Sequence, residues 1–331
     1  MKVSEYASYD ATGLAALVAK REVTPIELAR SAAEAIAALN PKINAVVELY
    51  ADRIDTLDEA TLGKGPFRGV PFLIKDVVGH LDGRKIEWGS RLCEGMVTRD
   101  GDTHIGRLFQ AAGLNIIGRS NTPEYSMSGT TENALSGNTS TPWREGYSAG
   151  GSTGGGGAAV AAGMVPMAHG TDIAGSIRIP AALCGGVGLK PSRGRVSAGP
   201  KADESGWGLT ANFAQTKSIR DTAALLDCMA IPQPGDPFLI PKPAARYAEL
   251  ITQAPPKLKI GWSIRRSRRR SRGRRSCWPR SATKSRRTIR IMTARMRHSA
   301  CSTSGSSISR SASRATPRRP AASPARTRWS R

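Results

Sequence analysis

Gly150-Gly151-Ser152-Thr153-Gly154-Gly155-Gly156-Gly157, running on into Ala158-Ala159-Val160-Ala161-Ala162-Gly163, is the most unusual local composition in the chain. A glycine loop that feeds a helix of small residues permits tight turns and close approach of backbones. Downstream, Met164–Ala168 reads as a strand, followed by the turn Gly170-Thr171-Asp172-Ile173-Ala174-Gly175-Ser176 and then Ile177-Arg178-Ile179-Pro180. Upstream, Val70-Pro71-Phe72-Leu73-Ile74 is a short apolar run that ends at Lys75-Asp76, the pattern of a buried strand.

Elsewhere the helical period recurs. Thr24 can cap a helix, Pro25 suits its first turn, and Glu27 completes a capping box. Ile26, Ala29, Ala33, Ile36 and Ala37 follow at helical spacing, and Asn40-Pro41 is expected to end the element. Helices are also expected over Ala11–Lys20, Thr103–Ala112 (stopped by Gly113) and Thr222–Met229, with strands at Leu114–Ile117 and from Leu258 to Gly261. Helices alternating with short apolar strands define the fold class as α/β.

The net charge of +23 suggests a nucleic-acid binder until it is divided along the chain. Residues 1–260 hold 27 Lys and Arg against 26 Asp and Glu, whereas 261–331 hold 22 Lys and Arg and neither acid. The body is neutral, so the overall charge says little about its partners. Five scattered cysteines with no CxxC pair imply reduced thiols and a cytoplasmic location. The N-terminal segment lacks the charged and apolar regions of a secretory signal, and no apolar run approaches the ~20 residues of a membrane span.

Cleaving an amide requires a nucleophile, a base to generate it and an acid for the leaving amine. Lysine becomes a base when burial lowers its pKa from ~10.4 toward neutrality, and the apolar run before Lys75 provides such burial. Taken singly, Lys75 reads as a strand-end lysine reaching solvent, Ser152 as a turn residue and Ser176 as a helix cap. Gly150–Gly154 also fits the G-x-S-x-G elbow, but a polar loop rather than a strand precedes it, and no suitably placed histidine follows. No Gly-Lys-Ser/Thr closes the glycine run as a phosphate loop would require. His80, His104, His169 and His298 show no zinc spacing, so neither metal nor cofactor is expected.

Together, Gly69–Asp76, Ser148–Gly163, Gly170–Pro180 and Gly188–Ser197 resemble the amidase-signature family, in outline over residues 8–261. The resemblance implies an α/β/α sandwich with a central mixed sheet, here truncated, and hydrolysis of a carboxylic amide. It implies that Ser176 is the nucleophile, that Ser152 relays its proton to Lys75, and that the Gly151–Ser152 peptide is cis. The N–H groups of Ile173, Ala174, Gly175 and Ser176 would form the oxyanion hole, with Ala174 standing where the family usually has glycine. Asp172 and Arg178 would brace the turn, and the Asn121–Glu132 loop, Met127 included, would line the substrate pocket. The Asp172–Pro180 turn and Phe213–Asp221 look nearest to 6-aminohexanoate-cyclic-dimer hydrolase-like amidases. A subunit of a tRNA-dependent amidotransferase shares the same core. The implied partner is a small-molecule amide, with a homodimer allowed and neither membrane nor nucleic acid expected.

The amidase-like pattern is expected to occupy residues 1–261. From 262 to 331 apolar periodicity vanishes and Arg, Ser, Pro, Ala and Thr dominate, the composition of a disordered segment. It reads as the off-frame translation of a GC-rich gene, the alternative being a polycationic nucleic-acid-binding tail. Because the resemblance implies a longer ordered half at this point, the chain as written is expected to be poorly stable and to have little activity. Resequencing around codon 262 separates the two explanations.

Overall fold

The apolar run before Lys75 forms a strand buried along its whole length, and the sheet is organised around it. The computed structural model describes residues 1–201 and 206–254. The expected strand from Leu258 and the Arg/Ser-rich segment 262–331 lie outside the described residues. The helices are α1 (Val3–Tyr6), α2 (Ala11–Ala19), α3 (Pro25–Ile43), α4 (His104–Ala111), α5 (Gly154–Ala161), α6 (Arg178–Cys184), α7 (Ile219–Met229) and α8 (Tyr247–Leu250). The strands are β1 (Val46–Leu49), β2 (Pro71–Lys75), β3 (Asn115–Ser120), β4 (Met167–Asp172), β5 (Val187–Gly188) and β6 (Ala211–Thr216).

These strands form one mixed sheet in the order β1-β3-β2-β4-β6-β5. The central trio β3, β2 and β4 is parallel, while β1, β6 and β5 each run antiparallel to their inner neighbour. Every residue of β2, β3, β4 and β6 is buried, so both faces of the sheet are covered, as parallel strands require. Helix α5 packs across β1 to β4 and β6, α3 across β1, β2 and β3, and α7 against β6. This is the α/β architecture expected from the sequence.

The glycines of α5 answer to that packing. A Cβ at Gly155 would lie 2.5 Å from Asn121 N and 2.6 Å from Ala45 O, both of them backbone atoms that cannot swing away. The helix therefore approaches the sheet at main-chain distance, a position only glycine permits.

Two expected boundaries are corrected. Helix α3 continues through Pro41 to Ile43 and ends where Asn44 adopts the left-handed conformation. Proline in the last turn deprives the helix of one hydrogen bond, and the Asn40 side chain holds the exit by accepting from the N–H groups of Ala45 and Val46. The strand expected at Met164–Ala168 instead spans Met167–Asp172, because Pro166 has no N–H for a ladder and Gly170, Thr171 and Asp172 pair with Phe213, Asn212 and Ala211. The Thr24 capping box forms as expected.

Arg119 on β3 is 3% exposed and gathers three carboxylates. Its Nε donates to Glu48 at 3.0 Å, Nη1 to Asp76 at 2.5 Å and Nη2 to Glu87 at 2.6 Å. Asp76 also accepts from the N–H groups of Glu87 and Gly89, so the segment after Lys75 is tied to the sheet immediately beyond that lysine. Removing one partner of a buried ionic cluster leaves the others uncompensated. Arg119→Leu is therefore expected to lower the unfolding free energy by about 3–5 kcal/mol, read from the midpoint of denaturant unfolding.

Candidate active site

The C-terminal ends of β2 and β4 and the N-terminus of α5 converge on one buried corner. Lys75, the last residue of β2, is fully buried, and its Nζ donates to Ser152 Oγ at 2.7 Å and to Thr171 Oγ1 at 2.9 Å. Thr171 is presented by β4, and Ser152 by the loop that enters α5. Both partners are uncharged hydroxyls. Burial accordingly pulls the Lys75 amine down to about 7, while the more distant charge of Asp172 opposes that shift only in part.

Ser152 is 1% exposed, and the Gly151–Ser152 peptide is cis. The 122–131 segment wraps this peptide. Thr122 Oγ1 donates to Ser152 O at 3.1 Å, and Thr131 Oγ1 donates to Gly150 O at 2.8 Å while accepting from Gly154 N. A Cβ on Gly151 would lie 2.6 Å from Thr130 O, so glycine is required before the serine.

Beyond β4 the chain turns around Asp172, whose buried carboxylate takes five hydrogen bonds. They come from the N–H groups of Gly175, Ile177 and Arg178 and from Nε and Nη2 of Arg178. Burial alone would raise this carboxyl, but Arg178 and the backbone donors hold it below its ordinary value. Arg178 thus engages the one carboxylate whose charge bears on Lys75.

Ser176 lies inside this braced turn, where its carbonyl accepts from Thr153 N–H, next to Ser152, at 3.2 Å. Its hydroxyl makes no hydrogen bond with Ser152, so Lys75 and Ser152 are joined while the contact between the two serines is open. Of the expected oxyanion donors, Gly175 N–H is engaged by Asp172 at 2.8 Å. The N–H groups of Ile173, Ala174 and Ser176 have no acceptor among the described residues. Ile173 is 46% exposed and Met127 82% exposed, Met127 at the outer edge of the loop that wraps Ser152.

Thr171 was not singled out from the sequence as a site residue. Its signal was its place two residues before the Ile173–Ser176 turn, but the mistaken strand boundary put it in the turn rather than on β4 facing Lys75. Burial raises the thiols of Cys184 and Cys228 to about 11, which makes them poor nucleophiles. Among the described residues, no cluster of His, Cys, Asp and Glu could hold a metal ion, and no helix is long and apolar enough to cross a membrane.

A buried Lys–Ser pair beneath a glycine-built loop, beside a turn of inward N–H groups, is the equipment of an amide hydrolase. The family profile described as Amidase matches residues 27–272, and the chain belongs to the amidase-signature family. It is 41% identical over 258 residues to the 6-aminohexanoate-cyclic-dimer hydrolase of Paenarthrobacter ureafaciens, covering 76% of this chain and 51% of that protein. It is 39% identical over 263 residues to the acylamidase of Rhodococcus erythropolis, covering 76% and 54%. The solved structure of 6-aminohexanoate cyclic dimer hydrolase superposes with a TM-score of 0.73 at 41% identity, over 77% of this chain and 53% of that one. The chain spans about half the length of the curated relatives it matches.

Asp172→Asn keeps the shape of the brace and removes its charge. Hydrogen bonds to ionised groups contribute about 1.5–3 kcal/mol each, so a stability loss of about 2–3 kcal/mol is expected in chemical denaturation, with a smaller loss for the half-exposed Arg178→Gln. Because the folded carboxyl is held low, the brace is at full strength above about pH 4 and weakens as pH falls further.

Proposed function

We propose that this protein is an amidase that hydrolyses a linear or cyclic carboxylic amide through an acyl-enzyme, with Ser176 as nucleophile, Ser152 as proton relay and Lys75 as base. The observation that carries this is the 2.7 Å contact between a fully buried lysine, its amine lowered to about 7, and the hydroxyl that precedes the glycine helix. A neutral amine has a lone pair, so near neutral pH the Lys75–Ser152 hydrogen bond can reverse. Nζ then accepts the Ser152 proton while Ser152 Oγ accepts that of Ser176. A change of the Ser176 χ1 rotamer is sufficient motion to close the serine–serine contact, and catalytic contacts of this kind commonly tighten only around substrate.

The chemistry follows from that relay. Ser176 Oγ attacks the amide carbon as its proton passes to Ser152 and the Ser152 proton to Lys75. The N–H groups of Ile173 and Ala174, joined by that of Ser176, stabilise the oxyanion. When the tetrahedral species collapses, Lys75 returns its proton through Ser152 to the departing nitrogen. The C–N bond breaks and an ester to Ser176 remains. Water activated by the same relay then releases the acid. The exposed Ile173 and Met127 side chains are placed to meet the apolar part of a substrate. The similarity to cyclic-dimer hydrolases favours amides of ω-amino acids.

A fluorophosphonate probe tests the assignment on the chain itself, because it requires an activated serine rather than a complete substrate pocket. Labelling is expected at Ser176, lost in Ser176→Ala and slowed by about 10²–10⁴-fold in Lys75→Ala. Since the base works only when neutral, the labelling rate should rise with pH through about 7 and then level off. Labelling that persists at full rate in Ser176→Ala would remove that residue as the nucleophile.

A further inference from the structure

His169, on β4 two residues before Thr171, is fully buried and has no part in the relay described above. The ladder between β2 and β4 is in register only at Phe72–Met167 and Leu73–Ala168, although the strands continue to Lys75 and Asp172. Asp76 N–H turns toward β3, where it donates to Ser120 O, so the N–H of Lys75 points toward β4. In an unbroken parallel ladder a β4 carbonyl would accept it. Here the acceptor is a side chain: Lys75 N–H donates to His169 Nδ1 at 3.3 Å.

His169 and Thr171 share one face of β4. The first holds the main chain of Lys75 and the second its amine, at 2.9 Å. An imidazole that accepts on Nδ1 is neutral and carries its proton on Nε2. That Nε2 is buried with no hydrogen-bond partner among the described residues, a costly arrangement that packing alone would not call for. A leucine would fill the space between Gly79 and Phe109 without stranding a donor.

We propose that His169 is a positioning residue for the proton relay: as the neutral Nε2–H tautomer it takes the Lys75 N–H in place of a strand partner, and so sets the reach of the Lys75 amine toward Ser152 and Thr171. This rests on the reading of Lys75 as the base. Lys75 is the cation beside the ring. Asp172, the nearest carboxylate to act on Lys75, is held by Arg178. Burial, and after it the charge of Lys75, bring His169 down to about 3, so the ring stays neutral throughout the working range.

Two measurements test the inference. In ¹⁵N-labelled protein the His169 ring should show a protonated Nε2 and an acceptor-type Nδ1, unchanged between about pH 5 and 9. A proton on Nδ1, or titration near the ordinary histidine value, overturns it. The second compares His169→Asn with His169→Leu, side chains of equal size of which only Asn places an acceptor near the Nδ1 position. Fluorophosphonate labelling of Ser176 should be slowed by about tenfold or more in His169→Leu, with its pH midpoint raised by about one unit as the lysine regains hydration. His169→Asn should recover most of the rate and the original midpoint. Equal losses in both variants with an unmoved midpoint would reduce His169 to a packing residue. If the unaltered chain fails to label, the nucleophile assignment fails, while the ring spectrum still decides the state of His169.

Discussion

An amine enclosed in protein with hydroxyls for neighbours is the condition on which this structure depends. Lys75 is surrounded by buried strand on both sides, and its Nζ meets Ser152 and Thr171 rather than a carboxylate. A direct ion pair would hold the lysine charged and useless as a base. The one carboxylate whose charge is felt at Lys75 is saturated by Arg178 and three backbone donors, which keeps it from acting as a counter-ion. Apolar strand, neutral partners and a neutralised neighbour all act in the same direction.

The scaffold serves that condition from two sides. On one, the Arg119 cluster anchors the chain as it leaves Lys75, so the end of β2 cannot fray into solvent. On the other, α5 approaches the sheet closely enough to bring the Ser152 peptide against the amine, and the wrapped 122–131 segment fixes that peptide through Thr122 and Thr131. The serine loop is thereby defined by contacts to its main chain, which leaves the Ser152 side chain available for proton transfer.

Much of this was legible in the sequence because the determining residues are local. The glycine run, the apolar strand ending in lysine and the Asp172–Ser176 turn announce themselves by composition, and the Thr24 capping box by spacing. Less legible were features set by distant pairing. β6 reads as unremarkable polar and apolar residues, yet its partnership with β4 moves that strand three residues along and places Thr171 and His169 on a face toward Lys75. β1 and the two-residue β5 are too short to carry a periodic signal. Pro41 reads as a helix stop by local rules, but the Asn40 side chain supports one more turn. The engagement of Gly175 N–H by Asp172 depends on how a turn folds back on a carboxylate, and no spacing rule reports it.

The bare helix behind Ser152 also bears on how such an enzyme can diversify. With the backbones of Asn121 and Ala45 occupying the space a methyl group at Gly155 would need, almost no substitution there is neutral. The reactive apparatus is sealed against gradual change from that side. Chemical variety in this lineage must then arise at the rim, where side chains such as Met127 and Ile173 stand in solvent and can be exchanged without disturbing the machinery beneath.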